Sequence, residues 1–161
     1  MSTRHDTLAT LLKTLIAEEE VLGRLVALAI EEQHALMTSD HQAIERISAS
    51  MHTVADGMDD LEREREALMS AIDATGATLA DLVPLAQEQG VGGFDAARAA
   101  LLLRVDELKE AQERNARLIL GAVRLQERWM NVIAGLVPAS TYGSGGRQDP
   151  GHRRGFVSKS A

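Results

Sequence analysis

This sequence contains no cysteine, and aromatic residues make up only 2% of its 161 positions. Without cysteine, the chain has no disulfide, thiolate metal site or cysteine nucleophile, which fits a reducing compartment. Because aromatic side chains are so few, a packed interior has to be built from Leu, Ile, Val, Met and Ala, which is typical of helical bundles. The chain is long enough for one domain with a moderate core.

The sequence also lacks a long apolar run and a targeting segment. No stretch approaches the roughly 18 apolar residues that a membrane-spanning helix needs. The amino terminus has no basic-then-apolar signal pattern. We therefore expect a cytoplasmic protein without stable membrane insertion.

Motifs for catalysis or metal binding are incomplete. Glu31 and His34 have the spacing of the carboxylate–histidine pairs in di-iron bundles, but such a site needs a second pair and two further glutamates. The only other pair at that spacing is Asp149 with His152, close to the end of the chain. We therefore expect no enzyme activity, no cofactor and no metal. A metalloenzyme on a helical bundle is an alternative that metal analysis of the purified protein would test.

Negative charge dominates the chain, whose net charge is −7. Residues 138–161 hold four basic side chains against one acidic side chain, so residues 1–137 carry −10. An acidic body argues against nucleic acid as a partner. The basic end is also rich in Pro, Gly and Ser, which predicts a flexible tail.

The spacing of apolar residues predicts three long helices. The first begins at a cap on Asp6 or Thr7. Its Glu18-Glu19-Glu20 run is interpreted as a solvated face, although Glu18 lies in register with the apolar stripe. The second, from Ile44 to Ile72, has apolar residues in strict 3-4 alternation that only Arg65 interrupts. An arginine in such a stripe is costly unless its guanidinium reaches a carboxylate or extends to solvent.

The connections between the helices carry turn and capping signals. Ser39 has the position of a capping-box residue at the start of the second helix. A short helix around residues 79–85 is predicted to close one end of the bundle, with Pro84 in its first turn. Glycines within residues 90–93 form a hinge before Asp95, which is predicted to cap the third long helix.

The third long helix, residues 95–137, is predicted to end at Pro138. Its apolar stripe is interrupted where the stripe positions hold Gln112 and Asn115. Beyond that gap the apolar face is wider than one packing seam requires, so residues 118–136 are interpreted as a semi-independent segment that faces something besides the bundle. The stripe contains Leu101, Val105, Leu108, Ile119, Ala122, Trp129, Ile133 and Leu136, and the wider face adds Leu118, Leu125 and Val132.

Together these segments predict an all-α fold, an elongated antiparallel bundle of three long helices plus a short helix. We expect a helical domain over residues 1–137 and a flexible C-terminal tail over residues 138–161. A monomer and a homodimer are both compatible with these patterns, because each long helix could self-associate.

Four segments, taken together, resemble the FlgN-type flagellar export chaperones. They are a Leu/Glu-rich first helix, the stretch from Leu61 to Met69, the stretch from Gln112 to Ile119, and the segment from Thr141 to Gly146. The most specific features are Asn115 on the last long helix and the Tyr-Gly pair at Tyr142, which follows that helix. The order and spacing fit over about residues 8–146.

The resemblance implies a cytoplasmic type III secretion chaperone. Such proteins bind the hook–filament junction proteins FlgK and FlgL, cover helices that would otherwise associate too early, and deliver their clients to the export gate protein FlhA. In relatives, a tyrosine matching Tyr142 helps the loaded chaperone to dock on the gate. The alternative is a structural coiled-coil or adaptor protein without an export role, and co-purification with a junction protein would separate the two.

Two binding sites are predicted. The widened face of the last helix is predicted to bind amphipathic client helices in helix-in-groove fashion. Tyr142 is predicted to anchor the chaperone to the export gate, because an aromatic side chain on a tether offers a large contact area. The alternatives are that the face is buried inside the bundle and that Tyr142 folds back over the helix end. The predicted client-binding residues are Leu118, Leu125, Trp129, Val132 and Leu136.

Overall fold

A computed structural model describes residues 3–136, and they form four helices. These are α1 (Arg4–Thr38), α2 (His41–Ala71), α3 (Leu79–Glu88) and α4 (Phe94–Leu136). No strand is present in the described range. This arrangement confirms the predicted all-α bundle of three long helices and one short helix. The predicted tail, residues 138–161, lies outside the described residues.

The chain divides into two compact units, Met1–Leu118 and Ile119–Ala161. Unit 1 contains α1, α2, α3 and the first part of α4. In unit 2, the described residues are the remainder of α4. The boundary falls next to Leu118, where the sequence analysis placed the start of a semi-independent segment.

The helices begin at caps that differ from the predicted ones. α1 starts at Thr3, whose hydroxyl accepts a hydrogen bond from the Asp6 amide while the Asp6 carboxylate accepts one from the Thr3 amide. This capping box places Asp6 inside the first turn, so the predicted caps at Asp6 and Thr7 were wrong. α2 is capped by Asp40. Ser39 instead ends α1 with a left-handed backbone (φ 55°).

Two further boundaries differ in the second half of unit 1. Thr78 caps α3, so Pro84 lies in the second turn and not in the first as predicted. The Ala80 carbonyl consequently loses its helical donor, but Ala80 is exposed and water can replace that donor. α4 begins at Phe94, so Asp95 belongs to the first turn and is not the cap.

The hydrophobic core lies where the beginning of α1, the end of α2, α3 and the beginning of α4 meet. Leu8, Leu11, Leu15 and Leu82 are completely buried there, and Phe94 is its one aromatic member. α3 contributes Leu82 and Ala86, which confirms that the short helix closes this part of the bundle. The predicted α2 stripe faces inward: Ile47 and Ile72 are buried and the other positions are half-buried, namely Ile44, Met51, Val54, Met58, Leu61, Arg65 and Leu68.

Within unit 1, α1 packs between α2 and α4. Thr14 donates a hydrogen bond to Glu64 and Arg4 donates one to the Ile72 carbonyl, so α2 runs antiparallel to α1. α4 runs parallel to α1, because the residues of α4 that contact α1 follow the same order along the chain as their partners on α1. Arg104 donates to Glu19 at 2.8 Å, and its guanidinium lies 3.4 Å from the position that a Cβ would take at Gly23.

Glu18 on α1 is completely buried, so the interpretation of this residue as part of a solvated face was wrong. Arg65 Nη1 lies 2.8 Å from both carboxylate oxygens of Glu18, while its own side chain remains 27% exposed. The arginine in the α2 stripe therefore reaches a carboxylate, as the sequence analysis required. Burial raises the pKa of Glu18 above its ordinary value of 4.5, and the positive charge of Arg65 opposes that shift.

We expect Arg65→Met to lower the free energy of unfolding by about 3 kcal/mol at pH 7, because it leaves the Glu18 carboxylate buried without a partner. The loss should shrink as the pH falls towards 4.5. With its pKa raised in the folded state, Glu18 then takes up a proton that the unfolded chain does not yet bind. Urea denaturation at pH 7 and pH 5 measures both effects.

The matched control is Arg63→Met on the same helix, because the Arg63 side chain is 74% exposed. This variant should change stability by less than about 1 kcal/mol at either pH. Equal losses for Arg65→Met at both pH values would contradict the prediction, as would a loss no larger than that of the control.

Candidate functional site

The part of α4 in unit 1 buries a stripe with 3-4 spacing. Ala97, Leu101, Ala111 and Asn115 are buried, and Arg104 and Leu108 between them are half-buried. Apolar spacing alone predicts Val105, Gln112 and Ile119 for this stripe, and all three are exposed. The predicted and observed stripes share Leu101, Leu108 and Asn115 and differ by one residue at the alternate positions, so the observed stripe is rotated by roughly 50° about the helix axis.

Polar contacts explain why the chain adopts the observed register. Arg104 pairs with Glu19, and Asn115 donates one hydrogen bond of 2.8 Å to the Ala29 carbonyl and another of 2.8 Å to Glu32 Oε2. A stripe through Val105 and Gln112 would forgo the Arg104–Glu19 contact. The sequence feature that could have identified the observed stripe is the opportunity for an arginine on α4 to pair with a glutamate on α1.

Among the side chains of α4 that the structure describes, only that of Asn115 is both polar and deeply buried. The residue is 3% exposed, and its Oδ1 atom is buried without a hydrogen-bond partner among the described residues. A buried asparagine in a helical seam fixes register at a cost in stability. The hydrogen bonds of Asn115 therefore fix the alignment of α4 along α1.

The observed stripe, continued past Asn115 at the same spacing, passes through every predicted client-binding residue. It runs through Leu118, Ala122, Leu125, Trp129, Val132 and Leu136. Leu118 is half-buried, and Leu125 and Val132 are 56% and 46% exposed. The side chains of Trp129 and Leu136 lie outside what the structure describes. The residues with described side chains therefore continue the α4 stripe and present apolar surface to solvent.

A second group of apolar side chains on unit 2 is also exposed. Ile119, Leu120, Val123 and Met130 have between 44% and 52% of their surface accessible. Apolar spacing assigns Ile119 to the packing stripe, and no site was predicted at Leu120 or Val123. Ile119, Val123 and Met130 each directly follow a residue of the observed stripe, and that spacing is the sequence signal for this group.

The remaining surface offers no metal centre in the described range. Glu31 and His34 line a cleft of about 260 Å³ beside the α1–α2 turn, together with Asp40. Across residues 3–136, no group of three or more His, Asp or Glu side chains is arranged to hold a metal ion. None of the helices described combines the length and apolarity needed to cross a membrane.

These features define the class of protein: an all-α bundle whose last helix carries exposed apolar side chains in register with its own packing stripe. The family model described as "FlgN protein" matches residues 1–150, and the chain belongs to the FlgN family. Members of this family are flagellar type III export chaperones that bind hook–filament junction proteins. No curated protein and no solved structure was found to match the chain.

We expect Asn115→Asp to lower the free energy of unfolding by about 3 kcal/mol at pH 7, because a buried carboxylate would replace the donor that faces Glu32 and the Ala29 carbonyl. Lowering the pH towards 5 should recover part of the loss as the new acid becomes protonated. Thermal unfolding at both pH values measures the effect.

Gln112→Glu is the matched control, because it makes the same change of charge at an exposed position of α4. It should leave stability within about 0.5 kcal/mol of wild type. If both variants unfold at the same temperature, Asn115 does not set the α1–α4 register.

Proposed function

We propose that this protein is a cytoplasmic flagellar export chaperone that binds junction proteins of the FlgK and FlgL type, prevents their premature association and delivers them to the export gate protein FlhA. The observation that carries the proposal is the exposed continuation of the α4 stripe at Leu125 and Val132. Membership of the FlgN family supports the same function.

The α4 stripe has the geometry that a client helix requires. In unit 1 the stripe packs against α1, which is itself an amphipathic helix. After the Asn115–Glu32 contact, α1 has six further residues (33–38), whereas α4 has 21 (116–136). A client helix with the same 3-4 spacing would bury the remaining apolar side chains, and this burial stabilises the complex by about 25 cal/mol per Å².

The arrangement of the chain suits a division of labour between carrying and delivery. We assign the helical domain, residues 1–137, to client binding, with Leu118, Leu125, Trp129, Val132 and Leu136 as the contact residues. The basic segment, residues 138–161, carries Tyr142 and is assigned to docking on the gate. Tyr142 lies outside the described residues, so this second assignment is supported by the sequence and the family.

The double variant Leu125→Asp with Val132→Asp should weaken binding of a purified FlgK-type protein at least tenfold, because it places two charges in an apolar contact. Helicity should remain close to that of wild type, since both side chains are about half exposed in the free chain. Isothermal titration calorimetry measures affinity, and circular dichroism at 222 nm measures helicity.

The control for this pair is Leu103→Asp with Val105→Asp. These residues lie on the same helix, have the same side chains and are 58% and 48% exposed, but they belong to unit 1. The control should bind the client normally. Loss of helicity in the Leu125/Val132 variant would identify these residues as core, and unchanged client binding would place the client surface elsewhere.

Tyr142→Ala should separate delivery from carrying. Client affinity should stay within a few-fold of wild type and the melting temperature should not change, whereas binding to the FlhA cytoplasmic domain should weaken and filament assembly should be delayed. Tyr142→Phe, which keeps the ring, is the control. A Tyr142→Ala variant that loses client and gate together, or that melts well below wild type, would show that the ring belongs to the bundle.

A further inference from the structure

The first part of α4 carries an exposed face besides the stripe that packs against α1. This face is centred on Leu102 and includes the residues three, four and seven positions before and after it, which share one side of a helix. All seven are exposed, and Leu102 and Val105 each have 48% of their surface accessible. The face lies entirely within unit 1. We call it the Leu102 face, and its members are Asp95, Arg98, Ala99, Leu102, Val105, Asp106 and Lys109.

The four charged residues of the Leu102 face form two pairs of opposite charge about its centre. Asp95 lies seven residues before Leu102, and Lys109 lies seven residues after it. Arg98 lies four residues before Leu102, and Asp106 lies four residues after it. None of these four side chains forms an ion pair with another residue in the described range. Their charges are therefore available to a partner.

An antiparallel second copy of this helix complements the face at every charged position. When a two-fold axis passes beside Leu102, a residue that precedes it lies level with the residue that follows it by the same number on the other copy. Asp95 is then level with Lys109 of the second copy, and Arg98 is level with Asp106. The two-fold axis repeats both pairings, so the interface contains four pairs of opposite charge.

Apolar residues fill the middle of the same arrangement. The two Leu102 side chains meet beside the axis, and Ala99 lies level with Val105 of the second copy. The small side chain of Ala99 allows the two helices to approach closely. A parallel pair would instead place each charged residue beside its own copy, where like charges repel. The inverted order of charges therefore selects an antiparallel second copy.

We propose that the Leu102 faces of two copies of this chain pack antiparallel about a two-fold axis. Asp95 and Arg98 of each copy pair with Lys109 and Asp106 of the other. The face extends over roughly 21 Å of helix, and interfaces of less than about 1,200 Å² are typical of reversible complexes. The pair is therefore a weak dimer that forms at high concentration. The predicted client-binding residues lie outside this face, so the proposal does not rest on the proposed function.

Sedimentation velocity of the full chain without client tests whether the dimer forms. The sedimentation coefficient should rise between about 10 μM and about 1 mM, the range in which weak complexes associate. A coefficient that stays constant over this range overturns the proposal.

Exchange of charges tests the antiparallel alignment. Arg98→Asp places two acids level with each other, and Asp106→Arg places two arginines level with each other, so each variant should weaken self-association at least tenfold. An equimolar mixture of the two variants should associate like wild type, because both acids of one variant then lie level with the arginines of the other. A mixture that associates no better than either variant alone overturns the proposal.

Arg46→Asp is the matched control for this exchange, because it makes the same change of charge at an exposed position of α2. It should self-associate like wild type. A loss of association equal to that of Arg98→Asp would assign the effect to net charge and overturn the proposal.

Leu102→Cys measures the approach of the two helices directly, since the chain contains no other cysteine. In packed helices, Cα atoms on the facing sides lie about 5 Å apart, which suits a disulfide. Leu103→Cys is the control, because the Leu103 side chain is 58% exposed but points about 100° away, which separates the two Cα atoms by about 10 Å. Mild oxidation should link the first variant into dimers and leave the second monomeric. Equal cross-linking of the two variants overturns the proposal.

Discussion

The bundle depends on α1 meeting a different neighbour on each of two faces. Leu8, Leu11 and Leu15 are completely buried in the core that α1 shares with the other helices. Polar contacts then orient the neighbours: Glu18 binds Arg65 of α2 and the adjacent Glu19 binds Arg104 of α4. Because successive residues on a helix point about 100° apart, two neighbouring glutamates serve two different partner helices.

The buried face of a helix could be predicted from the sequence where the apolar spacing allowed only one such face. The α2 stripe from Ile44 to Ile72 is such a case, and every position in it is at least half-buried. α4 offers two overlapping stripes that share every second position, and apolar spacing alone does not choose between them. The choice depends on Arg104, whose partner Glu19 lies 85 residues away along the chain.

The helix ends were harder to predict for a different reason. Thr3 and Asp40 compete as caps with nearby residues of the same chemical type, and the difference between neighbouring caps is about 1 kcal/mol or less. Which of these residues becomes the cap depends on the direction in which the chain enters the helix. The sequence placed the candidate site on the last part of α4 because apolar side chains continue there beyond the packed part of the helix. The exposure of Leu125 and Val132 required the structure.

Asn115 also governs how α4 can move along α1. A helix packed by apolar side chains alone could slide by seven residues and meet an equivalent apolar pattern. Such a step would carry the Asn115 amide from the Ala29 carbonyl to the level of Leu22 or Leu36, where Leu25 or Ser39 stands in place of the Glu32 carboxylate. A slide of seven residues in either direction therefore separates the Asn115 amide from the Glu32 carboxylate, and this contact opposes shear between α1 and α4 within unit 1.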